Sequence, residues 1–194
     1  MPPDSTDTKR RLLAAALDEF AEHGLAGARV DRIAARARAN KRLIYAYYGN
    51  KEQLFDTVMA HSLGVLADAV PFTPADLPGY AAGLFDHMML HPDLVRLTMW
   101  KLLERPAVSD REMDVYRPKV LDVAAGQRAG TVADGIAPID VLILVIGLVA
   151  SWFTASPSLR ALGGGLQHER LAAHRTALTL AVERITRPCT KGDR

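Results

Sequence analysis

The sequence predicts an all-α protein with a small N-terminal domain at residues 1–56 and a larger helical domain at residues 57–194. Apolar residues recur at helical spacing in every long segment, and no segment alternates apolar and polar residues as a strand does. Stretches rich in proline or glycine separate the helical segments. Because 49% of the 194 residues are hydrophobic, the chain can bury a core of ordinary size.

The first predicted helix lies in the segment TKRRLLAAALDEFAEHG. Its apolar face is formed by Leu13, Ala16, Leu17, Phe20 and Ala21. Thr6 or Asp7 is expected to cap its start, since both side chains accept hydrogen bonds from free backbone N–H groups. Gly24 is expected to end this helix, because glycine readily adopts the backbone conformation that follows a last helical turn.

Two short helices and a longer one follow. The second helix carries its apolar face at Val30, Ile33, Ala34 and Ala37. The break RAN separates it from the third helix, KRLIYAYY, for which Asn40 is a suitable N-cap and Gly49 a suitable C-cap. The fourth helix is expected at about residues 51–70, and Asn50 with Gln53 forms a variant of the capping box at its start.

Further helices are expected beyond the proline-rich break at residues 71–79. They lie near residues 80–90, 92–104, 111–129, 138–156 and 167–187, with loops at 130–137 and 156–166. The run of nineteen uncharged residues at 141–159 approaches the length that spans a membrane. Only its first ten residues are continuously apolar. A helix buried in a core or a dimer interface is therefore the better interpretation, and no membrane contact is expected.

Positive charge is concentrated around the short helices. Seven cations lie between Arg29 and Lys51 against one anion, Asp31, which gives a local excess of +6. Residues 57–194 hold fourteen cations and fourteen anions, and the whole chain has a net charge of +2. A basic patch on a neutral body indicates a site for a polyanion, although a solvated basic face is the simpler alternative.

The second and third helices have the layout of a helix-turn-helix, because both are short, a tight turn joins them and an amphipathic first helix supports them. In such a motif the second helix of the pair enters the major groove of DNA with its N-terminal residues. Lys41 and Arg42 could donate to guanine or phosphate, and the nearby tyrosines to phosphate, while Ile44 and Tyr48 face inward. The predicted DNA-binding residues are Arg29, Arg38, Asn40, Lys41, Arg42, Leu43, Tyr45, Tyr47 and Lys51.

The N-terminal part resembles the DNA-binding module of the TetR family of transcriptional regulators. The resemblance covers about residues 9–59 and rests on FAEHG (Phe20–Gly24), Ile33-Ala34, the Lys41 region, Tyr45–Tyr48 and Lys51-Glu52. Farther along the chain, only HPDLVRL and the helical architecture are similar. The resemblance implies a homodimer that binds a palindromic double-stranded DNA operator, represses transcription and is released by a small-molecule effector bound in the C-terminal domain.

Three positions depart from the family pattern. Ala28-Arg29 stands where the family usually has Thr or Ser, Arg38 where it usually has Gly in the turn, and Arg42 at a position that is often small. Arg38 either adopts a positive φ, at a cost of roughly 1 kcal/mol, or the turn differs. Arg38 and Arg42 are expected to alter the operator sequence that this chain recognises.

A group of polar and polarisable side chains in the C-terminal part suits an effector pocket. The candidates are His87, Met88, His91, Met99, Trp100, Glu104, Tyr116 and Trp152. Ordinary core packing is the alternative for each of them. His87 and His91 have the spacing of metal ligands on one helix face, but no third ligand is evident, so neither a metal nor another cofactor is expected.

The last two long helices are expected to form a homodimer. The helix near residues 138–156 is hydrophobic on nearly every side, so one of its faces needs a partner, and the final helix carries an apolar stripe. The predicted interface residues are Val141, Leu144, Val145, Leu148, Leu171, Leu178, Val182 and Ile185. Two helices from each subunit would make a four-helix interface around a two-fold axis.

The rival hypothesis is an all-helical enzyme or small-molecule carrier with an incidental basic face. The sequence shows no nucleophile–base spacing, no glycine-rich phosphate-binding fingerprint and no paired carboxylates, so no enzymatic activity is expected. The lone cysteine, Cys189, cannot form an internal disulfide, and no secretory signal is visible at the start. A cytoplasmic location is therefore expected.

Overall fold

In the computed structural model, which describes residues 5–164 and 166–188, every regular element is helical. The helices are α1 (Ser5–Gly27), α2 (Val30–Arg36), α3 (Lys41–Tyr48), α4 (Lys51–Ala69), α5 (Leu77–Leu90), α6 (Pro92–Glu104), α7 (Asp110–Arg128), α8 (Pro138–Thr154), α9 (Pro157–Leu162) and α10 (His168–Thr186). A short 3₁₀ turn at Pro74–Asp76 precedes α5. The predicted all-α class is confirmed, while Cys189 lies outside the described residues.

The described chain forms two compact units. The first unit contains the residues up to Val65 together with His91–Glu112, and the second contains Leu66–Leu90 and the residues from Met113 onward. α6 therefore belongs to the first unit, whereas the boundary expected after residue 56 placed it in the C-terminal domain. The physical reason is that α6 packs along α1 and buries Leu97 completely in the core of the first unit.

The core of the first unit joins α1, α2, α3, α4 and α6. Phe20 and Phe55 pack edge to face in it, with 5.0 Å between their ring centroids. Ile33 of α2 and Ile44 of α3 are fully buried in the same cluster. Complete burial of one such side chain contributes about 1.5–3 kcal/mol. Packing therefore stabilises two helices that are too short to persist alone in water.

α1 bends at Gly24, where φ is 67° and ψ is −177°. The straight helix ends here as predicted, but one more turn continues to Gly27. A side chain at position 24 would collide with Trp100, because the indole ring lies 2.9 Å from the place where a Cβ would stand. The positive φ and the close approach of Trp100 both require glycine.

The start of α1 differs from the expectation. α1 is already helical at Ser5, so Thr6 and Asp7 lie inside the helix and do not cap it. The Asp7 carboxylate instead accepts hydrogen bonds from Arg10 at 2.6 Å and from Arg11 at 2.9 Å. Asp7 therefore contributes negative charge to the first turn, where the helix dipole favours it.

Side-chain caps fix the starts of α3 and α4, as predicted. The Asn40 side chain accepts a hydrogen bond from the backbone N–H of Arg42 at 2.9 Å. The Asn50 side chain accepts from the Gln53 backbone N–H at 2.8 Å, and the Gln53 side chain accepts from the Asn50 backbone N–H at 3.1 Å. The two reciprocal bonds complete the capping box of α4, so short-range contacts fix where both helices begin.

The core of the second unit joins α5, α7, α8 and α10, with α5 packed against both α8 and α10. Its side chains that are at most 4% exposed include Tyr80, Phe85, Val123, Val145, Trp152, Leu178 and Val182. α8 is buried on one side only, since Ile143 on its other side is 57% exposed. Among the helices of residues 5–164 and 166–188, none combines the length and the apolar character that crossing a membrane requires.

The segment expected to be a loop at residues 156–166 contains the short helix α9. The Ser156 hydroxyl accepts a hydrogen bond from the Leu159 backbone N–H at 3.1 Å. Pro157 occupies the first helical position, where an N–H would have no partner in the helix. α5 likewise begins earlier than expected, because the Asp76 carboxylate accepts a hydrogen bond from the Gly79 backbone N–H at 2.8 Å.

Candidate functional site

The exposed surface of α3 and its N-cap carries four of the nine side chains predicted to contact DNA. Asn40, Lys41 and Arg42 are exposed, and Tyr45 is 48% exposed. Ile44 is fully buried, so the opposite side of α3 faces the core as expected. The accessible face combines two cations, an amide and a phenol, and these groups donate hydrogen bonds to phosphates and to base edges.

Two predicted contact residues on α3 are only half-exposed. Leu43 and Tyr47 pack against the core of the first unit. The Tyr48 hydroxyl donates to the backbone carbonyl of Lys9 at 3.2 Å, so this tyrosine ties α3 to the start of α1. The Lys9 ammonium lies 5.0 Å from the centroid of the Tyr47 ring, within cation–π range. α1 thereby brings a cation to α3 that the charge count over residues 29–51 did not include.

The turn between α2 and α3 holds Arg38 in a left-handed backbone conformation, with φ at 51°. The positive-φ alternative for this position is therefore confirmed, and it costs roughly 1–2 kcal/mol for a residue other than glycine. The Ala39 N–H donates to the Ala34 carbonyl at 3.0 Å, and the Arg38 N–H donates to the Ala35 carbonyl at 3.1 Å. The turn is closed by backbone bonds, and the Arg38 side chain is exposed.

A buried carboxylate holds α2 against α1. Glu19 is 1% exposed, and it accepts hydrogen bonds from the Arg29 backbone N–H at 2.9 Å and from the Arg32 guanidinium at 2.7 Å. Burial by itself raises the pKa of Glu19, but the hydrogen bonds from Arg32 and Arg29 and the charge of Arg32 outweigh it, so the pKa lies below its usual value. Glu19 is ionised near neutral pH, and it engages Arg32.

Lys51 has a structural role that the sequence did not predict. Its ammonium donates to the backbone carbonyls of Ala28 at 3.2 Å and Ala26 at 3.4 Å. The expectation of a freely presented phosphate contact is therefore corrected, because the charged end of Lys51 closes the connection between α1 and α2. The two carbonyls are 23 and 25 residues away in the chain, so no local pattern revealed this contact.

Acidic side chains reduce the positive charge that is free to meet a polyanion. Arg36 lies 3.5 Å from Asp18 of α1, and Lys41 lies 2.8 Å from Asp31. The hydrogen bond to Asp31 raises the pKa of Lys41. Across the part of the chain that the structure describes, no ion pair is formed by Arg29, Arg38 or Arg42. These three arginines are the most available cations of the first unit's helix-turn-helix.

The residues predicted to line an effector pocket do not form one group. His91, Met99, Trp100 and Glu104 belong to the first unit, and His87, Met88, Tyr116 and Trp152 belong to the second. The Trp100 indole donates to the Ala21 carbonyl at 3.3 Å, and the Glu104 carboxylate accepts from the backbone N–H groups of Leu25 and Ala26. Trp100 and Glu104 support the bend of α1, which corrects their assignment to a pocket.

The second unit contains an open cleft of about 450 Å³ that runs along α5. Its lining includes Val70, Thr73, Tyr80, Gly83, His87 and Leu90. His87 is the predicted effector residue found there, whereas Met88 packs against the core, Trp152 is buried in it and Tyr116 is half-buried. Nowhere in the described ranges do three side chains of metal-ligating type come together.

Most residues predicted for the dimer interface are used inside the chain. Val141, Val145, Leu178 and Val182 are at most 4% exposed, and Leu148 and Leu171 pack against the same core. The prediction that the four buried residues face a partner is wrong, because α5 covers that side of α8 and α10. Ile185 is half-buried, and Leu144 is exposed. The exposed large apolar side chains of these two helices are Ile139, Ile143, Leu144 and Leu180.

The fold and the exposed basic surface of α3 define a helix-turn-helix protein with a second, helical unit. Residues 12–58 match the family of bacterial regulatory proteins called the tetR family, and residues 76–184 match the tetracyclin repressor-like C-terminal domain. The chain belongs to the TetR family of transcriptional regulators.

Relatives support the same assignment over nearly the whole chain. The HTH-type transcriptional repressor SCO4008 of Streptomyces coelicolor is 43% identical over 169 residues, which cover 84% of this chain and 87% of the relative. The HTH-type transcriptional repressor NicS of Pseudomonas putida is 28% identical over 158 residues, 73% of each chain. Both relatives are transcriptional repressors, so the coarse function of this chain is that of a DNA-binding regulator.

Solved structures show the same fold. The crystal structure of the transcriptional regulator SCO4942 from Streptomyces coelicolor has a TM-score of 0.81 at 38% identity, over 94% of this chain and 99% of that chain. The regulator FadR from Bacillus subtilis, solved in complex with stearoyl-CoA, has a TM-score of 0.67 at 17% identity, over 90% of this chain and 97% of that chain. The likeness to FadR concerns the fold alone.

Proposed function

We propose that the chain is a transcriptional repressor that binds a palindromic operator as a homodimer and leaves it when a small-molecule effector binds the second unit. DNA binding is proposed from one observation: α3 is held firmly in the first unit, and its basic side chains are exposed. Asn40 caps the helix, Ile44 anchors it in the core, and Arg42 is exposed between them without an ion pair among the described residues. A rigid helix with an accessible basic N-terminus suits the major groove.

Base readout is proposed for the first turn of α3. Arg42 can make a bidentate contact to guanine, which is worth about 1–3 kcal/mol of discrimination against the wrong base. Lys41 is a weaker candidate, because Asp31 competes with DNA for its ammonium. Arg29 lies at the start of α2 and Arg38 in the turn before α3, and their exposed side chains suit phosphates, which fix orientation without reading sequence.

A second copy of the chain is proposed to cover the exposed face of α8 and α10. Ile139, Ile143 and Leu144 on α8 and Leu180 on α10 are between 43% and 57% exposed. Gly147 on α8 is exposed, and apart from its own helical turn no heavy atom of the described residues lies within 4 Å of the place where a Cβ would stand. Exposed apolar side chains on a neighbouring pair of helices suit an interaction surface. A two-fold pair would present two α3 helices to successive major grooves.

Effector binding is proposed for the second unit, which is built from different helices than the DNA-binding surface. A ligand can release DNA only by binding more tightly to the form that does not bind DNA. α4 is shared by the units, since its residues up to Val65 belong to the first and those from Leu66 to the second. A shift of this helix is the proposed link between effector and DNA.

Selection of bound sequences from random duplex DNA, combined with light scattering, tests the proposal. The expected result is an enriched palindrome and a mass of about twice the 21.1 kDa of one chain. A half-site spacing of one helical turn or a multiple of it is expected from the two-fold geometry. The proposal is contradicted if no sequence is enriched, or if the protein stays at the mass of one chain while it binds DNA.

A further inference from the structure

Two buried nitrogen atoms of the second unit have no hydrogen-bond partner among the described residues. They are Nε1 of Trp152 on α8 and Nε2 of His174 on α10. Trp152 is 4% exposed, so its indole N–H is closed off from bulk solvent. Buried polar groups are hydrogen-bonded in the large majority of cases, and an exception points to a ligand, an ion or a water.

The two nitrogen atoms belong to one aromatic cluster. The rings of Trp152 and His174 are 4.5 Å apart between centroids, at an angle of 40°. Phe85 of α5 packs against His174 at 5.4 Å and against Phe153 at 5.7 Å. The unpartnered nitrogens therefore belong to a group of packed aromatic rings, whose flat faces suit an aromatic ligand better than a flexible chain.

Arg170 adds a positive charge to this cluster. It precedes His174 by one helical turn in α10, and its guanidinium carbon lies 5.5 Å from the centroid of the Trp152 ring. No hydrogen bond or ion pair of Arg170 is found within residues 5–164 and 166–188. Arg170 is only half-buried, so a ligand can approach the cluster from the side of this residue. Gly163 lies next to it, since the place where a Cβ would stand on Gly163 is 2.9 Å from Arg170 Nε.

The charges around His174 leave the cluster without an acceptor. The Asp86 carboxylate on α5 is held by Arg175 at 2.9 and 3.0 Å. Burial lowers the pKa of His174, and the charge of Arg170 lowers it further, so the imidazole is neutral near neutral pH. A neutral imidazole can donate from Nε2. Trp152, Arg170 and His174 then form a cluster of donors, and no negative group of the described residues satisfies them.

We infer that Trp152, Arg170 and His174, the donor cluster, bind the carboxylate of a small aromatic acid. The guanidinium supplies the charge-assisted contact that favours a carboxylate over a neutral acceptor. The indole and imidazole N–H groups accommodate the remaining oxygen lone pairs, and Phe85 packs against the ring of the acid. The inference rests on the proposed function in one respect, namely that this acid would be the effector.

The two tryptophans of the chain make the site directly observable. In the full-length protein labelled with ¹⁵N-tryptophan, each indole N–H gives one NMR cross-peak, and Trp152→Phe assigns the pair. Trp100 is an internal reference, because its indole already donates to the Ala21 carbonyl at 3.3 Å. Titration with benzoate is expected to move the Trp152 cross-peak saturably while that of Trp100 stays fixed. Benzamide, which has the same shape without the charge, is expected to bind at least about tenfold more weakly.

Arg170→Gln is expected to weaken benzoate binding about tenfold or more, because it removes the charge while leaving a polar side chain. Arg184→Gln, an exposed arginine on the same helix, is the matched control and should bind benzoate like the parent protein. The inference is overturned if benzoate leaves the Trp152 cross-peak in place, if benzamide moves it equally, or if Arg170→Gln has no effect. The inference is likewise overturned if the Trp152 indole N–H exchanges with water and its cross-peak does not respond to benzoate.

Operator binding measured in the same samples separates this inference from the proposed function. If benzoate moves the Trp152 cross-peak but operator affinity is unchanged, the carboxylate site stands and its role as effector site fails. If another compound releases the operator while the donor cluster stays unresponsive to it and to benzoate, the ligand-responsive function stands and the carboxylate site is overturned.

Discussion

Arg38 combines two properties that oppose each other at one position. Its backbone is left-handed, with φ at 51°, and its guanidinium is exposed beside α3 without an ion pair in the described chain. Glycine would remove the strain, but it would also remove a cation from the proposed DNA surface. Strain of this kind persists where surrounding structure enforces it, and it is concentrated at functional sites.

Substitution of Arg38 separates strain from charge. Arg38→Gly should raise the free energy of unfolding by about 0.5–1 kcal/mol, because relief of the left-handed strain exceeds the added flexibility of the unfolded chain. Arg38→Ala is the matched control, since it removes the charge and keeps the strain. Urea unfolding measures stability, and both variants should bind DNA more weakly than the parent. Equal stability of the two variants would show that position 38 is not strained.

Asp31 is predicted to limit DNA affinity through Lys41. The two side chains lie 2.8 Å apart, and Asp31 is 74% exposed, so DNA phosphates compete with this carboxylate for the ammonium. Asp31→Asn should tighten binding to all duplex sequences several-fold and steepen the dependence on salt by about one phosphate contact. Asp134→Asn changes the net charge equally in the second unit and serves as control. Fluorescence anisotropy that gave identical affinities for both variants would argue against a phosphate contact by Lys41.

At the scale of elements, α2 and α3 are held in place by contacts that span the first unit. Glu19 of α1 fixes the start of α2, and Arg11 of α1 donates to the Ala37 carbonyl at 2.9 Å, at the end of α2. Tyr48 ties α3 to the backbone of Lys9. The orientation of the proposed reading helix therefore depends on α1 as much as on the turn.

Glu19→Gln tests the connection between α1 and α2. The substitution keeps an acceptor for the Arg29 N–H but removes the charge that binds Arg32, so stability should fall by about 1–2 kcal/mol at pH 7. Because the folded-state pKa of Glu19 lies below the usual 4.5, its contribution is present above that pH and is lost as the pH falls through the folded value. The difference in unfolding free energy between parent and variant should therefore shrink below about pH 4.5.

Glu22→Gln on the same helix is the control for this experiment, since Glu22 has a side chain that is 56% exposed and should change stability little. A pH-independent difference between the parent and Glu19→Gln would mean that the carboxylate charge does not hold α2.

Local spacing predicted the elements well and long-range contacts poorly. Asn40 and Asn50 with Gln53 cap their helices as expected, because capping involves residues two or three apart. Glu104 was assigned to an effector pocket, yet it binds backbone N–H groups 78 and 79 residues away. Lys51 was misassigned for the same reason. A charge count along the chain likewise omitted Asp18, which α1 brings to Arg36 in space.

At the scale of the whole molecule, the sequence predicts the two helices that are proposed for dimerisation. It does not predict which side of each helix is exposed. Apolar residues lie on nearly every side of α8. The sequence pattern therefore does not show which side α5 covers and which side stays exposed. The structure leaves Ile143 and Leu144 of α8 and Leu180 of α10 exposed, while Val145 and Leu178 are buried. In the proposed function, that exposed face holds together the two copies that bind the operator.

Charged substitutions on this face should separate assembly from folding. Leu144→Glu with Leu180→Glu should convert the proposed dimer to a monomer without loss of helix content, because both side chains are exposed in the single chain, at 43% and 45%. Leu121→Glu, at a 63% exposed position on α7, is the control. Light scattering at micromolar concentration and circular dichroism measure the two properties. A double variant that keeps the mass of the parent would place the dimer interface elsewhere.

The central claim is that the exposed cations on α3 and in the turn before it bind DNA. The salt dependence of DNA binding is the most direct test of this claim. Binding of the selected duplex is measured by fluorescence anisotropy at salt concentrations from about 50 to 200 mM. The double variant Arg38→Ala with Arg42→Ala should weaken binding and reduce the slope of log affinity against log salt by about one phosphate contact, because Arg38 is proposed to bind a phosphate and Arg42 a base. Arg117→Ala with Arg128→Ala removes two exposed arginines of α7 and should match the parent. If both double variants bind as tightly and with the same slope as the parent, α3 is not the DNA-binding surface.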